Sequence, residues 1–538
     1  MVLFAFVAIC HGDDLDKTVT LMQEGKNEAA IAECTILIGR QPTNELAYYY
    51  RGLAKLWQKD LQGAISDESM AIQINPVDAY AYLWRGNAEH ENNNSADALN
   101  DYTTAIDLDP TNAWAYYHRG EIRAEKNQLN AAIIDYTKAI ERETNVWLFF
   151  KSRGEAKDQT DPAGAIVDFT RAIELNPTNT AMYVDRGIAE IARQNFTNAI
   201  LDYTHAIQMR SNDVFAYYDR GVAKRNNGDV EGAIVDYIKT IEIDPRDANA
   251  YRARALAKEL KGDLDDAILD YNRAIEIRSN FVFAYYDRGL AKRKKGDLDG
   301  AIADYTKAIE LDPVYTNAFL ARGVAKKLKN DLPGAISDYS HVIEIDSNNF
   351  GAYYDRGLAK RKMGDLDGAI GDYTRAIEID PVYTNAYLTR ATAKYLRGDL
   401  DGAILDNTKV LQLNPQNAPA CNDRAWAEFL KNDLDTASND VEHAIKLVST
   451  NGFYFGTRGW VRYVQGNVPG ALDDLNKAVV LLTNGPASLT DKGMIRYING
   501  DFSAATNFWQ QRINTDTNES QVLGPWIDKA KAKLQIPK

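Results

Sequence analysis

Cysteine is nearly missing from this chain, with three in 538 residues, Cys10, Cys34 and Cys421. So few thiols, with no C-x-x-C pair among them, make neither a disulfide framework nor a thiolate metal site. Histidine is sparse as well, at six. His205, His341 and His443 share one repeat position that other units fill with Lys, Arg or Thr, which marks them as solvated. No H-E-x-x-H, G-x-S-x-G or phosphate-cradling glycine loop occurs. The expectation is a protein that is not an enzyme and that carries no cofactor and no metal. Positive charge is in deficit, Lys+Arg 62 against Asp+Glu 76, a net −14. Nucleic-acid binding draws on released counterions and needs a basic footprint, so no nucleic-acid partner is expected. A local basic groove on an acidic body is compatible with that balance. Long apolar runs are also lacking: Met1–Cys10 is the one continuous stretch. It is short of the roughly 20 residues a bilayer span requires, so no integral membrane span is expected. From Asp14 to about Thr515 no Pro/Gly/Ser-rich linker interrupts the chain, which leaves no separate catalytic domain.

What is present is a repeat. Val282 to Tyr315 reads as two amphipathic helices joined by a Gly-Asp turn. Ala284, Tyr285, Arg288, Gly289 and Ala291 form the small-or-aromatic stripe of the first helix. Gly296 ends it in the left-handed conformation, and Asp297 is placed as N-cap of the second. Ala301, Ile302, Tyr305, Ala308 and Ile309 are the second stripe, and Pro313 closes the unit. The same pattern recurs from Glu45, Ala79, Ala113, Trp147, Thr180, Val214, Ala248, Thr316, Phe350, Thr384, Ala418, Gly452 and Pro486. The turn Asp158–Pro162 in the Trp147 unit is one residue short. The first-helix glycine becomes alanine at Ala255, Ala391 and Ala425, which should only reduce how closely two helices approach.

With a 34-residue period, these alanine, glycine, aromatic and proline offsets resemble the tetratricopeptide repeat (TPR). The resemblance implies an all-α solenoid, a right-handed superhelix of antiparallel helix pairs. The expected organisation has four segments: a signal peptide or N-terminal cap at 1–12, a degenerate first unit at 13–44, a tandem array at 45–517, and a capping helix at 518–538. In that last segment Gly524-Pro525 reads as the helix start, with Trp526, Ile527, Ala530 and Leu534 as its apolar stripe. The apolar run before the polar His11–Asp14 resembles a signal h-region, although no charged n-region precedes it. Export is the leading expectation, to the periplasm, the outer membrane or outside the cell; a cytoplasmic chain with a hydrophobic cap and a lipid anchor at Cys10 are the alternatives.

Two constellations recur with the repeat. An Arg precedes the first-helix glycine (Arg288, Arg322, Arg356) and an Asp stands in each second helix (Asp304, Asp338, Asp372). Equal numbers of both charges at fixed levels favour a structural ion-pair ladder, within a unit or across to the next, over a charged ligand track. The turn Gly296–Gly300 has acids at only two calcium-loop positions, so it reads as capping. The resemblance further implies a concave groove lined by the second, fifth, ninth and twelfth residues of each first helix. Those slots hold Phe215, Tyr218 and Arg225, then Phe283, Tyr286 and Arg293, then Lys327, then Tyr354 and Arg361. Rings and guanidinium groups at regular spacing suit an acidic peptide; the alternative is that Tyr pads the packing and Arg solvates it. The carboxylate clamp of chaperone-binding relatives is absent, since Asn87 is partnered by Leu83 and Lys151 is followed by Glu155.

The central third, where AYYDRG recurs at Ala216, Ala284 and Ala352, looks built by duplication of a unit pair. The function expected is a non-catalytic scaffold that binds protein segments in its groove, and, if the N-terminus is a signal, an envelope assembly adaptor or surface receptor; a substrate-docking subunit and a passive spacer are its rivals.

Overall fold

The computed structural model describes residues 13–483 and 485–534. Among them there are thirty-one α-helices, one 3₁₀ turn at Thr517–Glu519, and no strand. The apolar run Met1–Cys10 lies outside the described residues. The helices come in pairs, from Asp13–Gln23 with Asn27–Arg40 to Ser488–Ile498 with Phe502–Thr515, and Ser520–Leu534 follows. Two compact bodies are present, the first ending at Ile277 and the second beginning at Arg278.

The turn chemistry acts as read. Between Val282–Lys294 and Leu298–Leu311, Gly296 sits at φ +87° and Asp297 Oδ1 accepts the Gly300 N–H at 2.9 Å. Of the units that lack that glycine, two place Lys59 and Gln194 in the left-handed position and four place asparagine there, at Asn93, Asn127, Asn330 and Asn432. Its short polar side chain tolerates this conformation better than most.

Close approach of the two helices depends on the first-helix glycine. A Cβ on Gly289 would lie 2.5 Å from Tyr305 Cε1, and one on Gly357 2.6 Å from Tyr373 Cε1. The second-helix tyrosine therefore occupies the space the side chain would fill. Two of the three alanine substitutions come with a smaller residue at the tyrosine position: Asn407 opposite Ala391 and Val441 opposite Ala425. Ala255 keeps its tyrosine, Tyr271, and both are fully buried.

The Arg–Asp pairs close within the unit. Arg322 donates from Nε to Asp338 Oδ2 at 3.0 Å and from Nη2 to Oδ1 at 2.7 Å. Its remaining nitrogen, Nη1, reaches Thr306 Oγ1 of the preceding unit at 3.0 Å. Lys326 adds a contact to Asp338 Oδ2 at 2.9 Å, and the guanidinium lies 5.5 Å from the Phe319 ring centre. The same fork joins Arg51 to Asp67, Arg186 to Asp202, Arg390 to Asp406 and Arg458 to Asp474, among others. In the Trp147 unit the separation falls from 16 to 15 residues, yet Arg153 still binds Asp168 at 2.9 and 2.6 Å. The missing residue is absorbed by a first helix that ends early, Trp147–Lys157. Buried carboxylates already forked by arginine have nothing left for a ligand, which settles the ladder as structural.

The last helix differs from expectation. It begins at Ser520, and Pro525 lies inside it. A proline there removes one backbone hydrogen bond, a loss the helix bears because its apolar face is covered. Val522, Leu523, Ile527 and Ala530 are its buried residues, while Leu534 is exposed. Trp526 stacks edge-on against Trp460 at 5.3 Å and Tyr497 at 5.6 Å, closing the second body's terminal core. Cys34 and Cys421 are buried, and burial pushes both thiols up to about 11.

Arg322→Ala leaves Asp338, 1% exposed, with Lys326 as its one remaining cation. It is expected to destabilise Thr316–Leu328 and Leu332–Ile345 by about 2–4 kcal/mol, because a buried carboxylate loses most of its compensation. Arg322→Lys keeps the charge, loses the fork and should fall between. Amide exchange across these helices measures the effect, and unchanged rates in both variants would contradict it.

Candidate binding groove

Within each body, first helices of successive units touch one another, as Thr180–Ala192 touches Val214–Asn226 and Phe350–Met363 touches Thr384–Arg397. Their side chains away from the second helices therefore make a continuous face.

In the first body, Tyr218 and Arg225 line one cavity of about 510 Å³ together with Tyr203, Asp219 and Arg252. Phe215, 76% exposed, lines a neighbouring cavity of about 540 Å³ beside Asp185 and Arg210. In the second body, Phe283 and Tyr286 both meet Tyr315 edge-on, at 5.7 and 5.3 Å. Tyr354 meets Tyr383 at 5.1 Å and Tyr373 at 5.9 Å. Arg225, Arg293 and Arg361 are half-buried instead of solvent-facing, each beside a second-helix tyrosine: Tyr237, Tyr305 and Tyr373. Lys327 differs from the three arginines. Its ammonium binds Asp355 of the next unit at 2.8 Å and lies 5.9 Å from the Tyr339 ring centre.

Sequence reasoning missed the second-helix hydroxyls. Tyr203, Tyr237, Tyr305, Tyr339 and Tyr373 are fully buried, and their hydroxyl oxygens make no hydrogen bond of ordinary geometry. Their rings are needed for packing on the glycines, but their hydroxyls are not: Phe169 packs on Gly154 in the same way. The signal lay in that single exchange of Phe for Tyr. What happens to each hydroxyl depends on the first helix. Tyr271 donates to Glu259 at 2.5 Å and Tyr102 to Asn87 at 2.8 Å. Opposite Arg293 no such acceptor exists, because a guanidinium only donates. The Tyr305 hydroxyl oxygen lies within reach of the Arg293 guanidinium and can accept from it. The hydroxyl's own proton and the buried Arg293 Nε are left without an acceptor, and together they suit an anion.

Asp219 opposes that charge in the first-body cavity. Burial raises its carboxyl to about 6, and the Asp213 charge adds to the shift.

Among the described residues, no helix is long and apolar enough to cross a membrane.

A stack of paired helices whose first helices share one face defines an α-solenoid. The chain carries tetratricopeptide repeats: the family described as TPR repeat matches residues 86–124 and 260–295, and tetratricopeptide-repeat families match 115–145, 282–315 and 351–383. Proteins of this kind are in general protein-interaction scaffolds. Comparison with curated proteins returned no match. Among solved structures, YrrB, described as a TPR protein with an unusual peptide-binding site, is 25% identical over 35% of this chain and 97% of its own, at a TM-score of 0.34. MamA 41-end from Desulfovibrio magneticus RS-1 is 21% identical over 32% of this chain and 96% of its own, at 0.30. Yeast Tom70 is 18% identical over 85% of this chain and 96% of its own, at 0.31.

The Asp219 carboxyl, raised to about 6, loses its charge as pH falls through that value. Lowering pH from 7 to 5.5 should then tighten binding of a glutamate-rich peptide at the Arg225 cavity about two- to fivefold, as one opposing charge disappears. Asp219→Asn should bind at pH 7 as the wild type does at 5.5, with a flat profile. Fluorescence anisotropy over that range is the measurement, and equal slopes for the two proteins would refute the assignment.

Proposed function

We propose that this protein is a non-catalytic scaffold that holds acidic segments of partner proteins against the inner face of its first helices. The observation that carries this reading is the Arg293–Tyr305 pair, two buried donors that lack an acceptor. A carboxylate entering there accepts from both, and such charge-assisted hydrogen bonds are the stronger kind. The arrangement of an arginine beside a buried tyrosine recurs two units away, at Arg361 and Tyr373 in the same body. It occurs again in the first body at Arg225 and Tyr237. Tyr286 and Tyr354 offer ring faces and edges beside these arginines for the ligand's carbon skeleton. Lys327 contributes less, since Asp355 already holds its ammonium. On a chain of net charge −14, Arg293 and Arg361 within one body concentrate the field on an acidic ligand.

Replacing Arg225, Arg293 and Arg361 together by Glu should abolish capture of partners from the native host while circular dichroism stays near wild type. Wild-type affinity should also fall with added salt, because screening weakens partly exposed charge pairs. A triple variant that captures the same partners would place the binding surface elsewhere.

Work in a cell envelope, as assembly adaptor or surface receptor, belongs to the same proposal and rests on the apolar run Met1–Cys10 followed by polar residues. N-terminal sequencing of protein recovered from the native host should begin near Asp13. A mature cytosolic chain that retains Met1–Cys10 would overturn that part.

A further inference from the structure

The first four helix pairs enclose a cavity of about 640 Å³ that includes none of the arginines and tyrosines proposed above to hold acidic segments. Val19 and Met22 close one side, Trp57, Trp84 and Trp114 supply broad walls, and Glu121 lies at the far end. Its size and largely apolar lining with a few polar groups are those of a ligand site.

Three features of the lining select the ligand. The ring faces come first. On the same helices, Arg51, Arg85 and Arg119 lie over the rings of Tyr48, Tyr82 and Tyr116. Trp114 is packed by the rings of Tyr117, His118 and Phe149 at 5.7, 5.9 and 5.0 Å, whereas among the described residues no cation of the chain lies over Trp84, which leaves its electron-rich face for one from outside. The second feature is the acceptors. His90 Nδ1 is buried and unpartnered while Nε2 lies 3.4 Å from Glu125 Oε1, so with the ring proton on Nε2 the Nδ1 atom is an acceptor. Glu121 accepts from the Tyr117 hydroxyl at 2.7 Å and faces His118 Nδ1 at 2.8 Å. Burial is the largest single influence and works to raise its carboxyl, but the His118 and Tyr117 contacts, with the nearby His90 ring, together outweigh it and hold the group below the usual range, so it stays ionised. The third is one free donor. Asn112, 6% exposed, caps a helix through Oδ1 to the Ala115 N–H at 3.1 Å, and its Nδ2 is unpartnered.

We propose that this cavity binds a guanidinium group carried by the arginine side chain of a partner polypeptide. The flat cation stacks on Trp84 with Trp114 as a wall beside it, its N–H groups donate to His90 Nδ1 and the Glu121 carboxylate, and Asn112 Nδ2 donates to a carbonyl of the bound peptide. The cavity opens on the face where the groove reading places partners, but the probes below need no partner protein. Failure of either reading therefore leaves the other standing.

The full chain labelled with 5-fluorotryptophan, its ¹⁹F resonances assigned by Trp→Phe variants, is titrated with Ac-Gly-Arg-Gly-amide, agmatine, and Ac-Gly-Glu-Gly-amide. The arginine peptide should move the Trp84 and Trp114 signals and leave those of Trp460, Trp509 and Trp526 in place. Glu121→Gln should weaken it about tenfold, and Asn112→Asp, which keeps the helix cap, should weaken the peptide more than agmatine. Binding of agmatine as tight as that of the peptide would overturn the polypeptide source in favour of a free small cation. If the glutamate peptide shifts these signals and the arginine peptide does not, or if Glu121→Gln binds as the wild type does, the cation assignment is wrong.

Discussion

Everything in this array depends on one interaction, the two-pronged bond from a first-helix arginine to the second-helix aspartate of its own unit. It ties the pair of helices at a fixed level, and the third nitrogen of the guanidinium reaches a Thr or Ser of the preceding unit, as Arg220 does to Thr204 and Arg356 to Ser340. Three consecutive helices are thereby held by one side chain. Taking such charges out of water costs about what the pairing returns, so the bond acts mainly on geometry. A planar fork admits one orientation, and the Trp147 unit shows how firmly: a residue is lost from its turn, and the Arg153–Asp168 bond persists.

Once that level is set, the second-helix tyrosine has to lie against the first-helix glycine, and its hydroxyl arrives at the same depth in unit after unit. The chemistry there is then decided by one first-helix position facing a nearly constant row of donors. Glu259 satisfies its tyrosine. Arg293 cannot take the hydroxyl proton, since a guanidinium only donates. The polar chemistry of this face is therefore varied by exchanging residues at a few slots, while the packing beneath them stays unchanged. The N-terminal units show the other extreme. Tryptophan and histidine fill their slots, the walls become aromatic, and buried acceptors replace buried donors.

The repeat, the starts of its units and the aspartate caps were legible in the residues. They follow from a 3.6-residue period and from turn chemistry that acts within a few residues of itself, and the structure returns them nearly unchanged. Other features needed the helices side by side. The ladder's residue types were plain, but closure within the unit became visible only when Arg322 and Asp338 were placed facing each other. Lys327 reads as a free groove cation until the next unit brings Asp355 to its ammonium. The three groove arginines read as solvent-facing until the second helix puts a tyrosine beside each.

Pattern also misplaced the start of the last helix, because Pro525 looks like a beginning when nothing shows that Leu523 is buried under Trp460's cluster. The cavity between Val19 and Glu121 left no signature at all. Periodicity reports which face of a helix is apolar; the space between faces is set by side chains about a hundred residues apart, and only their packing decides whether a partner is found there or a void.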